Sequence, residues 1–231
     1  MNTDWPATLQ FLRTVRSLGA MTDAELERLR PCLRHRKLAK GEYVYRQGQG
    51  TDYVYFIRQG RVKVMQSANG KEMILGVYGM GDLLGCCGLI GNVCYPCYAE
   101  AMEPADIVFV SRETFHSMLS RVPTVAADLL SQMVRRLREA HCKMRSLALE
   151  PVEERVIAIL LELGNKVGIR QNGQVILPSH VTRQQISEMA GTTIETTSRV
   201  ISKLRRAGLI ECAKRRTILV PRRLEELLQE V

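Results

Sequence analysis

The chain has 231 residues, with 33 Lys and Arg against 24 Asp and Glu and a formal net charge of +9. It is long enough for two domains with their own cores, and the charge calls for a polyanionic partner. No apolar run reaches the roughly eighteen residues that a membrane span needs. The nearest, 76 to 99, holds Asp82, Asn92, Pro96 and six glycines. The opening MNTDWP carries no basic leader, so a cytoplasmic protein without a membrane partner is expected. Seven cysteines in that setting are expected to be thiols, metal ligands or redox sensors rather than a disulfide framework. No nucleophile elbow, Walker loop, HExxH pair or dinucleotide fingerprint is present, which argues against an enzyme.

Residues 1 to 40 read as helical and basic. Leu9, Leu12, Val15 and Leu18 share one face, and Thr22 with Glu25 forms a capping box opening a second helix, MTDAELERLRPCLRHRKL. Cys32 and His35 stand alone there and read as a small buried residue and a solvated imidazole. From Gly41 the apolar period changes to two. GEYVYRQGQGTDYVYFIRQGRVKVMQSANGKEMILGVYGMGDLLG predicts short antiparallel strands broken by glycine turns, including Asn69-Gly70.

Four of the seven cysteines follow within twelve residues, Cys86, Cys87, Cys94 and Cys97, in the spacing CC-x6-C-x2-C. Cys94 and Cys97, stiffened by Pro96, can place two thiolates on one metal, and a turn at Gly91-Asn92 can bring Cys86 or Cys87 back to them. On an extended strand those two point to opposite faces, so both reach one centre only if Gly85 and Gly88 kink the backbone. An iron-sulfur cluster, a thiol-disulfide switch, zinc or another thiophilic metal, and inert packing all remain open.

VSRETFHSMLSRVPTVAADLL then leads into a long helix. Leu130, Met133, Leu137, Ala140, Met144 and Leu147 alternate at spacings of three and four, a heptad seam that predicts a homodimer; an intramolecular core helix is the alternative. The seam leaves His141 and Cys142 outside it without a role. Glu150-Pro151 ends the helix as a hinge. We therefore expect an N-terminal domain over 1–120, a dimerisation helix and hinge over 121–150, and a C-terminal domain over 151–231.

The last domain opens with an amphipathic helix, VEERVIAILLELGNKVG, and a strand pair, RQNGQVIL. Thr182 and Gln185 form a second capping box, and Gly191 ends that short helix. Thr192 and Thr193 supply turn and cap chemistry, and Ile194, Thr197, Val200, Ile201 and Leu204 carry a second helix to Gly208. Two helices on a tight turn make a helix-turn-helix. The second helix's outer face gathers Glu195, Ser198, Arg199, Lys203 and Arg206, donors and an acceptor suited to base edges and phosphates. LIECAKRRTILV reads as a β-hairpin wing with Lys214, Arg215 and Arg216 at its tip, and PRRLEELLQEV as a closing helix. From 178 to 223, ten Lys and Arg face three Glu, so this stretch holds +7 of the chain's +9.

VTRQQISEMAGTTIETTSRVISKLRRAGLI resembles the winged helix of the cyclic-AMP receptor protein and fumarate-nitrate regulator (CRP/FNR) family. KGEYVYRQG, DYVYFIRQGRVKV and GDLLG resemble the effector-binding β-roll of the same family. The resemblance implies an α+β chain: an N-terminal antiparallel, cyclic-nucleotide-binding-like β-roll, a long dimerisation helix and a C-terminal winged helix-turn-helix. Glu195, Ser198 and Arg199 resemble the FNR-type reading triplet, which implies a palindromic double-stranded DNA site with half-sites like TTGAT. The DNA contacts implied are Thr182, Arg183, Gln184, Thr193, Glu195, Thr196, Ser198, Arg199, Lys203, Lys214 and Arg215, with RNA polymerase as a further partner.

In the cyclic-nucleotide members the segment after GDxxG supplies a Glu and, about ten residues on, an Arg. Here Cys86 and Tyr95 stand at about those places, so cyclic AMP is not expected. The segment looks closer to FNR proteins, and that likeness implies an iron-sulfur cluster on Cys86, Cys87, Cys94 and Cys97, although residues 1 to 31 lack the FNR cysteine cluster. A thiol-disulfide or thiophilic-metal regulator, and a constitutive DNA binder with a vestigial sensor, are the alternatives.

Overall fold

The computed structural model describes residues 5–19, 21–68, 71–89, 94–171, 173–178, 181–213 and 216–229. The expected turns at Asn69-Gly70 and Gly91-Asn92 and the wing residues Lys214 and Arg215 lie outside them. The chain is mixed α+β and divides into two compact units, 1–138 and 139–231.

The first unit begins with helices α1 (Trp5–Thr14) and α2 (Asp23–Leu29). Thr22 opens α2 with both halves of a capping box: its hydroxyl accepts from Glu25 N, and its own N–H donates to the Glu25 carboxylate at 2.7 Å. The expected helical stretch to residue 40 is corrected here. Pro31, which cannot donate to a helical ladder, lies in a 3-10 turn over Arg30–Cys32, and strand β1 (Arg34–Leu38) follows. β1 has a single buried side chain, Leu38. It is a strand because it pairs along β8 (Ala105–Ser111), a tertiary edge that overrides local propensity.

Between them run β2 (Tyr43–Tyr45), β3 (Tyr53–Gln59), β4 (Val62–Ala68), β5 (Lys71–Tyr78), β6 (Leu83–Leu84) and β7 (Tyr98–Ala101). They form two four-stranded antiparallel sheets, ordered β1-β8-β3-β6 and β2-β7-β4-β5. The alternation of β3 explains the architecture. Val54 and Phe56, with Val108 and Val110 of β8, pack on α1, α2 and α3 (Arg112–Arg121). Tyr55 and Ile57, with Ile107, point the other way into the roll, against Tyr45, Val62, Val64 and Ala99. One strand thus serves two cores, and its run YVYFI is apolar on both faces for that reason.

Helix α4 (Pro123–Leu149) runs from the first unit into the second. Val125 and Gln132 are its buried residues, whereas Leu130, Val134, Leu137 and Met144 are exposed. The heptad phase therefore differs from the expected seam: Met133 turns inward onto Cys86 and Leu147 lies under Gly191. The free stripe keeps Leu130, Leu137 and Met144, takes Val134 in place of Met133, and brings His141 into register. Apolar residues border both faces of this helix, so spacing alone could not decide which was free.

In the second unit α5 (Val152–Val167) packs on α6 (Arg183–Ala190), α7 (Ile194–Arg206) and α8 (Pro221–Gln229). Val156, Ile157, Leu160 and Leu163 meet a core that includes Ile186, Met189, Val200, Ile201 and Leu204, all buried. Strands β9 (Ile169–Gln171), β10 (Gln174–Leu177), β11 (Ile210–Ala213) and β12 (Arg216–Leu219) form one sheet, ordered β11-β12-β10-β9.

The sharpest backbone constraint in the roll is Gly60, at φ +83° between β3 and β4. A Cβ there would lie 2.6 Å from the Pro104 carbonyl oxygen and 2.9 Å from Ala105. Gly48, at φ +82°, has open space around the same atom. Gly60→Ala is expected to cost about 2 to 3 kcal/mol and Gly48→Ala about 1, the first paying both φ strain and a backbone clash. Urea unfolding midpoints of the two variants check this; equal midpoints would contradict it.

Candidate nucleic-acid interface

Local chemistry fixes the reading head. The Thr182 hydroxyl accepts from Gln185 N at 3.2 Å, and the Gln185 side chain accepts from Thr182 N at 3.1 Å, so the start of α6 is capped on both sides. α6 ends at Gly191, whose φ 61° and ψ 46° are left-handed. Thr192 N then returns to the Ser187 carbonyl at 3.0 Å, closing the C-terminal motif that turns the chain. Two residues on, Thr193 caps α7 by accepting from Thr196 N at 3.2 Å.

α7 hides one face and shows the other. Thr197, Val200, Ile201 and Leu204 are buried, while Glu195, Arg199, Lys203, Arg205 and Arg206 are exposed and Thr196 and Ser198 half-exposed. Glu195 lies in the first turn, where its own backbone N–H and the Thr193 hydroxyl hold its carboxyl below the usual range. It is therefore an ionised acceptor at neutral pH. The basic residues fall in the last turn, so the charge pattern also suits the helix dipole.

The candidate DNA contacts divide by what they touch. Arg199 Nη2 donates to the Thr196 hydroxyl at 3.3 Å, and Arg183 Nη1 reaches Ser198 Oγ at 3.4 Å across the two helices. Thr182 and Thr193 are exposed caps. Lys203 Nζ instead sits 2.8 Å from Glu153 of α5, and Gln184 Nε2 donates to Glu188. Glu188 is a residue that sequence reasoning missed. It is buried, and its second carboxylate oxygen has no hydrogen-bond partner among the described residues. Arg155 was missed too: its guanidinium donates to the carbonyls of Ala190 at 3.0 Å, Glu150 at 3.0 Å and Leu147 at 3.4 Å. Neither residue stands out by spacing from the charged neighbours in its helix.

The sensor segment is built differently from the sequence expectation. Cys86 and Cys87 begin a 3-10 turn over Cys86–Leu89 rather than an extended strand. Cys87 and Cys94 are exposed, Cys86 is half-buried and Cys97 is buried. Cys94 pairs with Gly50 in an isolated bridge. Burial pushes the Cys97 thiol up, against a hydrogen bond from Tyr45 that works the other way. Among the described residues no three His, Cys, Asp or Glu side chains lie close enough to share a metal ion. Tyr95, at about the place of the phosphate-binding Arg, is buried and stacked on Tyr45 with ring centroids 4.0 Å apart, and its hydroxyl donates to the Tyr53 carbonyl. Cys86 itself is held from α4, with Met133 Sδ at 3.7 Å and Arg136 Nη1 at 3.6 Å from its sulfur.

Residues 35–122 match the cyclic nucleotide-binding domain, and 154–227 match the Crp-like helix-turn-helix domain. The chain is 29% identical over 178 residues to the transcriptional activator protein Anr of Pseudomonas protegens, covering 77% of this chain and 72% of that protein. It is 28% identical over 172 residues to the cyclic AMP receptor protein of Thermus thermophilus, covering 74% and 76%. Its fold is similar to that of the c-di-GMP responsive global regulator CLP of Xanthomonas campestris, with a TM-score of 0.77 at 22% identity, covering 86% and 99%. Among the described residues no helix is long and apolar enough to cross a membrane.

The cap at Thr193 sets the first turn of α7, where the acceptor Glu195 sits. Thr193→Ala is expected to lower unfolding free energy by about 1 kcal/mol, and Thr193→Ser to restore most of it. Thermal unfolding followed by far-UV circular dichroism reads both; an unchanged midpoint in the alanine variant would remove the cap from this account.

Proposed function

The chain belongs to the CRP/FNR family of DNA-binding transcription regulators, and from that premise we propose that it works as a cytoplasmic homodimer reading a two-fold DNA site. The observation that carries the reading is the exposed face of α7, with an ionised Glu195 in the first turn and Ser198 and Arg199 one turn on. A carboxylate accepts from the cytosine amino group, and an Arg fork pairs with guanine O6 and N7. Half-sites like TTGAT suit that pair. Lys214 and Arg215 add phosphate contacts from the wing, and RNA polymerase is the partner on which the bound dimer acts.

The free stripe of α4 supports the dimer. Leu130, Leu137 and Met144 are 65%, 56% and 57% exposed, and with Val134 they recur at three and four residues, a pattern that buries itself against a second copy. A two-fold pair of α4 helices sets the recognition helices about 34 Å apart, one turn of B-DNA.

For the signal we propose chemistry on thiols. An iron-sulfur cluster would need Cys86, Cys87, Cys94 and Cys97 deprotonated around one centre. These residues do not fit it as they stand: among the described residues no three of them gather, and Cys86 is engaged by α4. An iron-free thiol-responsive regulator, sensing an oxidant or a thiophilic metal, is the reading that these contacts favour. Brown anaerobic protein carrying iron and acid-labile sulfide would restore the cluster.

Fluorescence anisotropy with a TTGAT palindrome tests the first part. Arg199→Ala is expected to cost about 1 to 3 kcal/mol and relax selection at its guanine. A site selection that returns no palindrome, or one indifferent to Glu195, would refute the assignment. Leu137→Glu places a charge at the two-fold seam and should give monomers in sedimentation, with tight palindrome binding lost. A dimeric Leu137→Glu protein would move the interface elsewhere.

A further inference from the structure

By helix geometry, the two charged residues that α7 offers to a guanine–cytosine pair should neutralise each other. Glu195 and Arg199 stand four residues apart on that helix, and an acid four residues before a base is the favoured order for an ion pair along a helix. They do not make it. Among the described residues no carboxylate lies within ion-pair reach of the Arg199 guanidinium, and its hydrogen bond runs from Nη2 to the Thr196 hydroxyl at 3.3 Å. The Glu195 carboxyl is held first by its own backbone N–H and then by the Thr193 hydroxyl, both at the N-terminal end of the helix.

Two threonines keep the pair apart. Thr193 Oγ1 accepts from Thr196 N at 3.2 Å and donates to Thr196 Oγ1 at 3.1 Å. Its single proton serves either that oxygen or the Glu195 carboxylate. The Thr196 oxygen therefore has the helix cap on one side and the Arg199 fork on the other. A neutral hydroxyl suits this place. A carboxylate would hold the guanidinium in a charge-assisted pair that a base edge must break, whereas guanine O6 and N7, accepting two N–H groups at once, can replace the weaker bond to a hydroxyl. An arginine already held in one direction also loses less side-chain freedom on docking.

We propose that Thr196, set by the Thr193 cap, is a positioning residue for base readout: it draws Arg199 away from Glu195 and leaves both charged groups open to the bases. The inference rests on the reading of α7 as the recognition helix, and it deepens that reading by saying why opposite charges at ion-pair spacing stay available. Thr196 then governs sequence discrimination without touching a base. Valine at this position keeps the β-branched shape and removes the oxygen, which lets Arg199 fold back onto Glu195.

The test compares Thr196→Val and Thr196→Ser in the full chain by fluorescence anisotropy, at one salt concentration, on a palindrome with TTGAT half-sites and one with TTAAT. Wild-type protein should prefer the first by about 5- to 150-fold, the range of one bidentate contact. Thr196→Val should lose about 3-fold or more of that preference and Thr196→Ser should keep it, while in an Arg199→Ala background Thr196→Val should change it no further. In the protein without DNA, the Glu195 carboxyl followed by carbon-13 NMR should titrate lower in Thr196→Val than in wild type, because the guanidinium moves onto it. Equal weakening of Thr196→Val on both palindromes would make Thr196 a phosphate contact and overturn the proposal. A full preference in the valine variant, or a Glu195 titration that does not move, would overturn it as well. Wild-type protein with no preference between the palindromes would sink the recognition-helix reading itself, and the titration, read without DNA, would still decide whether Thr196 holds the two charges apart.

Discussion

The reading head hangs on one guanidinium. The last carbonyls of a helix have no partner within it, and Arg155 supplies one for two helices at once: Leu147 and Glu150 at the end of α4, and Ala190 at the end of α6. A cation at two negative helix ends is favourable on dipole grounds as well. Ala190 is the residue before the left-handed Gly191, so the point that Arg155 anchors is where the chain turns into α7. Gly191 leaves no alternative: a side chain there would meet Leu147 Cδ2 at 2.6 Å. That atom can move, but φ 61° cannot be relieved in the same way, so the turn is set by backbone and Leu147 fills the space it leaves.

Charge on the recognition face then sorts into what is fixed and what is available. Glu195 is tied to the start of its own helix and stays ionised. Lys203 is bonded to Glu153 at 2.8 Å, but its side chain is 65% exposed, and an exposed pair of this kind is worth only about 0 to 1 kcal/mol. A phosphate can displace it at small cost, so the ion pair does not disqualify Lys203 as a backbone contact. It does make that contact a weaker determinant than Arg199, whose guanidinium touches only a hydroxyl of its own helix among its described hydrogen bonds.

Features governed by local rules were legible in the sequence. Both capping boxes, the helix end at Gly191 and the inner face of α7 follow from local residue chemistry and spacing, and the structure has them at the expected residues. Features that depend on a distant partner were not. RHRKL has no strand-like alternation of apolar residues, and it pairs because β8 presents an edge to it. The phase of α4 was misread at Met133 for the same reason. An apolar residue bordering two faces looks alike whether it meets its own roll or a second copy, and only the position of Cys86 decides. The four cysteines read as one cluster because they are close in sequence, yet the fold distributes them between a half-buried turn, the surface and the roll interior.

That distribution bears on how a signal could travel. A helix turns by about 100° per residue, which puts Met133 and Arg136 on one face of α4 and Leu130, Val134 and Leu137 on a face about a quarter of a turn away. The two faces belong to the same rigid element, so a change at the Cys86 sulfur that rotates α4 about its axis must reorient the stripe, whereas a slide along the axis would leave the stripe's facing unchanged. A signal can bias such an equilibrium only by as much as it prefers one arrangement over the other. The Cys86 contacts give it something to prefer: a thioether and a guanidinium within 3.7 Å, both attached to the helix that would have to move.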